Sequence, residues 1–154
     1  MPDGGRQVDR DDDGWTLRLV RRIDAPLGQV YCAVSDPARV AMWMGPEGFE
    51  VAIDRFDFRV GGTYRLVMTG KSGVGLSVTG EFIEIEDGRC IAFTWRWEHD
   101  ETPGAATTVR FGFAASGDGT EASLTHTGFP EEGNAVSHGD GWASTLKRLQ
   151  TLLT

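Results

Sequence analysis

The sequence predicts an α+β fold: a curved antiparallel sheet of about seven strands, two short helices near its start, and one long C-terminal helix laid across the sheet. Three observations predict it. Apolar residues alternate with period two from Trp15, and again through most of the chain after Gly45-Pro46. Turn-forming pairs rich in glycine punctuate those runs. From about Asn134 the period becomes helical, with Trp142, Leu146, Leu149 and Leu153 on one face. A helix with one apolar stripe must cover something, and an antiparallel sheet offers one face to cover.

The elements follow in order. Residues 1–14 carry five aspartates against two arginines and almost nothing apolar, so they read as a mobile acidic tail ahead of a single domain spanning 15–154. Trp15, Leu17 and Leu19 start a strand, which Asp24-Ala25-Pro26 ends. Pro26 opens a helix with Val30, Tyr31 and Val34 on its apolar face. Asp36 caps a second short helix, with Pro37 at its first position, running to about Met42. Strands are expected near 49–59, 63–69, 76–86, 90–98, 107–115 and 121–127, with Gly61-Gly62, Asp87-Gly88 and Gly117-Asp118-Gly119 in the turns between some of them. Lys147 and Arg148 suit the C-terminal half of the last helix, where the macrodipole favours positive charge. Strand 107–115 is a candidate sheet edge for a homodimer, and the expected state is monomer or homodimer.

Composition removes several classes. The chain has 154 residues, 40% of them hydrophobic and 25% charged, with a formal net charge of −8. Size and composition fit one soluble globular domain, and the acidity opposes binding to nucleic acid or to an anionic membrane. No stretch approaches the ~20 apolar residues that span a bilayer, and the N-terminus lacks the apolar core of a secretory signal. The expected address is therefore cytoplasmic. Cys32 and Cys90 have no CxxC partner. In a reducing compartment both read as free thiols, Cys32 buried in its helix, although the sequence leaves a bridge open.

Several stretches together resemble a known family. They are Asp24-Ala25-Pro26 with Val30; Asp36-Pro37 and Trp43 before Gly45-Pro46; Gly61-Gly62-Thr63-Tyr64 with Met68; and Gly80 to Ile85. Arg89 with Phe93-Thr94-Trp95, Leu124 to Phe129, and His138-Gly139-Asp140-Gly141-Trp142 complete the set. In this order the chain resembles the Hsp90-ATPase-activator-like domains of the START/Bet v 1-like helix-grip superfamily, over essentially everything after residue 14. The resemblance implies a helix-grip fold with a cavity between sheet and C-terminal helix. It also implies a carrier or binder of hydrophobic small molecules, a chaperone partner of the Hsp90-activator type, or a cyclase- or hydrolase-like enzyme.

The aromatic strand faces carry the leading expectation, a hydrophobic or aromatic ligand held against the sheet without a cofactor. Ile91, Phe93, Trp95 and Trp97 share one face, as do Val109, Phe111 and Phe113, and Tyr64, Leu66 and Met68. The candidate ligand-binding residues are Trp43, Tyr64, Met68, Phe93, Trp95, Phe111, His126, His138 and Trp142. The alternative for the strand faces is plain sheet core. His126 shares a strand face with Leu124, and Glu84 shares one with Phe82, so these two are the candidate acid–base pair if the cavity is catalytic. The bland alternatives are a satisfied core histidine and a structural ion pair with Arg65, Arg96 or Arg110. Gly70-Lys71-Ser72 imitates the end of a phosphate-binding loop, but Arg65 stands where its first glycine belongs. His99, His126 and His138 lack zinc-site spacing, so no metal is expected.

Overall fold

In the computed structural model, residues 5–12, 14–73, 75–98 and 106–154 are described. The elements among them are β1 (Arg6–Asp11), β2 (Gly14–Ile23), α1 (Leu27–Ser35), α2 (Pro37–Trp43), β3 (Glu50–Phe56), β4 (Thr63–Thr69), β5 (Gly75–Glu86), β6 (Cys90–Trp97), β7 (Thr107–Ser116), β8 (Gly119–Phe129) and α3 (Glu132–Leu153). The strands form one curved sheet in the order β1-β2-β8-β7-β6-β5-β4-β3, with every neighbouring pair antiparallel. After β2 the chain leaves the sheet through α1 and α2 and re-enters at the opposite edge. Five successive hairpins then bring β8 back beside β2. α3 lies against β1, β2 and β8 and also touches α1 and α2.

Local chemistry accounts for the connection through the helices. Asp36 accepts the backbone N–H of Ala38 at 3.1 Å, and Pro37 fills the first position of α2. The Trp43 indole N–H donates to the Ala33 carbonyl at 2.8 Å, which ties α2 onto α1. The inner face of the sheet is built by the predicted alternation. Tyr64, Leu66 and Met68 on β4, Phe82 on β5, Ile91, Phe93 and Trp95 on β6, and Val109, Phe111 and Phe113 on β7 are all buried. From α3, Trp142, Leu146 and Leu149 complete the core, and Gly139 allows close approach, since a Cβ there would sit 3.1 Å from Leu17.

Three expectations are corrected. The tail assigned to residues 1–14 is a strand over Arg6–Asp11, which makes the sheet eight-stranded; residues 1–4 and 13 lie outside the described residues. β1 is held by its ladder to β2 and by ion pairs from Arg6 to Asp140 on α3 and from Asp9 to Arg18. Composition does not report such backbone pairing, because the ladder satisfies groups that every residue carries. Strand 107–115, proposed as an edge, is central between β6 and β8; the edges are β1 and β3. Cys32 is exposed on α1, and it and Cys90 are free. Among the described residues no helix is long and apolar enough to cross a membrane.

One contact needs glycine. Tyr64 on β4 pairs with Gly80 on β5, and its hydroxyl passes over that strand to donate to the Thr94 carbonyl on β6. The hydroxyl of Thr94 accepts the Glu81 backbone N–H at 2.9 Å, so side chains replace ladder bonds there. A Cβ on Gly80 would lie 1.9 Å from the Thr94 carbonyl oxygen and 2.7 Å from the Tyr64 ring. Gly80→Ala is therefore expected to destabilise by about 1–3 kcal/mol through overpacking. Gly28→Ala, where an added Cβ meets nothing within 4 Å, should instead stabilise α1 by about 0.5–1 kcal/mol. Urea midpoints of the two variants check this, and equal midpoints would contradict the account.

Candidate functional site

Two spaces open between the inner face of the sheet and the helices. The larger, of about 290 Å³, has Trp95, Trp97, Met68 and Leu76 on its strand side and His138, Gly141, Trp142 and Thr145 on its α3 side. Met44, Gly45, Pro46 and Phe49, from the segment joining α2 to β3, form a third wall, and Ser137 on α3 completes the lining. No Lys, Arg, Asp or Glu contributes to the lining. Deeper in the core, a void of about 40 Å³ is bounded by Trp43, Tyr64, Phe82, Phe93, Phe111 and other apolar side chains. Met44 and Trp95 line both spaces and so stand between them.

The α3 wall is fixed by hydrogen bonds from behind. The Trp142 indole N–H donates to Nδ1 of His126 at 3.0 Å. An indole nitrogen can only donate, so Nδ1 carries no proton and the ring is the Nε2–H tautomer. Nε2–H then donates to the Thr107 hydroxyl at 2.6 Å, and that hydroxyl donates to the Trp95 carbonyl at 3.1 Å. The same logic applies beside it. The Trp97 N–H donates to Nε2 of His138 at 3.0 Å, and Nδ1–H donates to the Asn134 carbonyl at 2.8 Å. The two imidazoles stand 5.3 Å apart. Burial pushes the pKa of His126 well below its usual value, helped by His138; burial also lowers that of His138, against the raising effect of its bond to Asn134. Both are neutral at pH 7.

The third wall is held by one guanidinium. Arg148 on α3 donates to the carbonyls of Met44, Gly45, Pro46 and Phe49 at 2.8–3.3 Å, and more distantly to that of Met42. Ser144 accepts the Glu47 backbone N–H at 2.8 Å. The loop carbonyls thus converge on α3, four of them sharing one nitrogen of the guanidinium. Two buried side-chain groups have no partner among the described residues, the Tyr31 hydroxyl and the Trp95 indole N–H, and of these Trp95 lines the two spaces; such a state ordinarily costs about 1–3 kcal/mol.

A model of the family described as Activator of Hsp90 ATPase homolog 1-like protein matches residues 24–154. The chain belongs to this family. It is similar to protein CV1439 from Chromobacterium violaceum, known from a crystal structure, with 32% identity over 90% of this chain and 96% of that one and a TM-score of 0.83. The AHSA1 protein of Silicibacter pomeroyi is 30% identical over the same shares, with a TM-score of 0.81. A protein from Arthrobacter aurescens, 21% identical over 96% of this chain and 90% of that one, shares the fold with a TM-score of 0.83. None of the curated proteins matches the chain.

In this AHSA1-like chain the candidate ligand residues fall into three groups. Met68, Trp95, His138 and Trp142 line the larger cavity. Trp43, Tyr64, Phe93 and Phe111 line only the deep void, which Trp95 also borders. His126 lines neither and stands behind Trp142. Glu84 does not share the face of Phe82. A register shift between them, with Ile83 as the extra residue, turns Glu84 outward, where Arg110 grips it at 2.5 and 3.2 Å. Hydrogen bonding to Arg110 lowers the pKa of Glu84. The acid–base pair is therefore not assembled: one member is a fully bonded neutral imidazole and the other an outer-face ion pair.

The lining residues outside the candidate set are Met44, Gly45, Pro46, Phe49, Leu76, Trp97, Ser137, Gly141 and Thr145. A signal existed for some of them. Trp97 shares the face of Trp95, and His138, Gly141, Trp142 and Thr145 follow helical spacing beside the leucine stripe. Gly70-Lys71-Ser72 lies in the β4–β5 turn, on an outer depression next to Phe49 and Leu76, and precedes a strand. Among the described residues no cluster of His, Cys, Asp or Glu could hold a metal, and His99 lies outside them.

The depressed histidines set a pH dependence. Their unfolded value is about 6.5. Above it both states are neutral; below it the unfolded chain binds protons that the folded chain refuses, so stability falls as pH drops from about 6.5 towards the folded values. Urea midpoints should be level from pH 8 to 7 and decline from pH 6.5 to 5. The decline should be shallower in His138→Gln. An identical profile in that variant would remove His138 from the account.

Proposed function

We propose that the chain binds a hydrophobic small molecule in the cavity between α3, β6 and the Met44–Phe49 segment. The observation that carries this reading is the lining: three tryptophans, two methionines, a phenylalanine and a leucine, with no formal charge, around about 290 Å³. That volume lies near the lower end of the usual range for ligand pockets, about 300–1,000 Å³. Transfer of apolar ligand surface from water supplies the affinity, at about 25 cal/mol per Å² before the costs of association. Membership of the family supports the same reading, since its fold commonly serves ligand binding as well as Hsp90 activation.

Gly141 provides a direct test. It lines the cavity, and a Cβ built there has only Pro46 within 4 Å, at 3.8 Å. Gly141→Leu should fill the space and remain folded. The neutral fluorophore prodan should bind the wild-type protein with a saturable blue shift, and the variant should bind it more weakly by about tenfold or more. Circular dichroism and the urea midpoint verify folding. Unchanged prodan binding in folded Gly141→Leu would overturn the reading. The variant also separates ligand binding from chaperone partnership, because it alters the interior and leaves the outer surface alone.

A further inference from the structure

The cavity walls carry polar groups, and nearly all are already engaged. The Trp142 and Trp97 N–H groups are spent on His126 and His138, and the His138 N–H on Asn134. The Thr145 hydroxyl donates to the Gly141 carbonyl. One guanidinium nitrogen of Arg148, outside the lining, draws the four loop carbonyls to itself. In the deep void, Trp43 and Tyr64 are bonded to Ala33 and Thr94. What remains is one buried donor, the Trp95 N–H, on a ring that is 4% exposed and lines both spaces.

Resting on the binding reading above, we propose that the cavity selects neutral, donor-poor molecules carrying one hydrogen-bond acceptor, such as an aryl ketone or ether, and that Trp95 Nε1–H is the group that reads the acceptor. A ligand donor would find the loop carbonyls already drawn to Arg148, leaving the Thr145 and Ser137 hydroxyls to receive it, whereas the buried Trp95 N–H has no competing partner. A carboxylate or ammonium would lose its hydration against a lining without a countercharge. An acceptor at Trp95 instead satisfies a donor that is unpaired in the empty protein, so the gain is specific to that one atom.

Three probes of matched shape test this: 2-acetylnaphthalene, 2-ethylnaphthalene and 2-naphthoate. Their affinities are measured by calorimetry, and the indole N–H resonances are followed by nitrogen-edited NMR, with the Trp95 signal identified by its loss in Trp95→Phe. The ketone is expected to bind about three- to tenfold more tightly than the ethyl compound, with naphthoate weakest. The Trp95 indole proton should move downfield with the ketone alone. In Trp95→Phe the ketone and ethyl affinities should converge. Equal affinities with an unmoved Trp95 resonance, or tightest binding by naphthoate, would overturn the selectivity while leaving ligand binding intact. Failure of all three probes to bind the wild-type protein would overturn both. The ranking of the three affinities is read in the wild-type protein, so that arm of the test does not depend on the variant folding.

Discussion

The imidazole of His126 joins the two layers of this protein. It is the midpoint of a chain that begins on α3 at the Trp142 N–H and ends on β6 at the Trp95 carbonyl, by way of Thr107 on β7. An α-helix has no backbone donors or acceptors to spare for a sheet, so its position over the sheet must be set by side chains. Leu146 and Leu149 supply apolar contact without direction; the Trp142–His126–Thr107 chain supplies direction. It fixes the height and rotation of α3, and hence which residues of α3 face the cavity. This also removes His126 from chemistry, since each ring nitrogen is committed.

The cavity is what remains when both of its movable walls are held from outside. α3 is held by the histidine chain and by its packing on β2, where Gly139 brings it close to Leu17. The Met44–Phe49 segment has no regular structure of its own, and Arg148 gathers its carbonyls instead. Neither support projects into the space. Where two apolar layers would otherwise collapse to close packing, walls anchored on their far sides leave a gap, and the absent side chain at Gly141 widens it. Trp95 belongs to both the wall and the gap, with its carbonyl inside the network and its N–H outside it.

The histidines make the same assembly sensitive to acid. Each accepts an indole N–H at the lone pair that a proton would take, so protonation of either ring competes directly with a bond holding a cavity wall. Fold integrity and the shape of the site are therefore linked through the same two rings.

Much of the architecture is legible in the sequence. Alternation placed the inner-face residues of β4, β6 and β7, Asp36-Pro37 marked the start of α2, and the spacing of Trp142, Leu146 and Leu149 gave the buried stripe of α3. Such signals are legible because periodicity is a local property of the chain. The structure decided what depends on non-local geometry. β1 adds to the sheet through backbone groups that composition does not register, and one register shift in β5 turns Glu84 away from Phe82. Of nine residues nominated for the ligand site, Trp43, Tyr64, Phe93 and Phe111 were correctly apolar and inward-facing but reach only the deep void, because alternation specifies a face and not a depth. Which face residues meet empty space depends on where α3 and the Met44–Phe49 segment come to rest, and that is set by Arg148 and His126 through partners about 20 to 100 residues away in the chain.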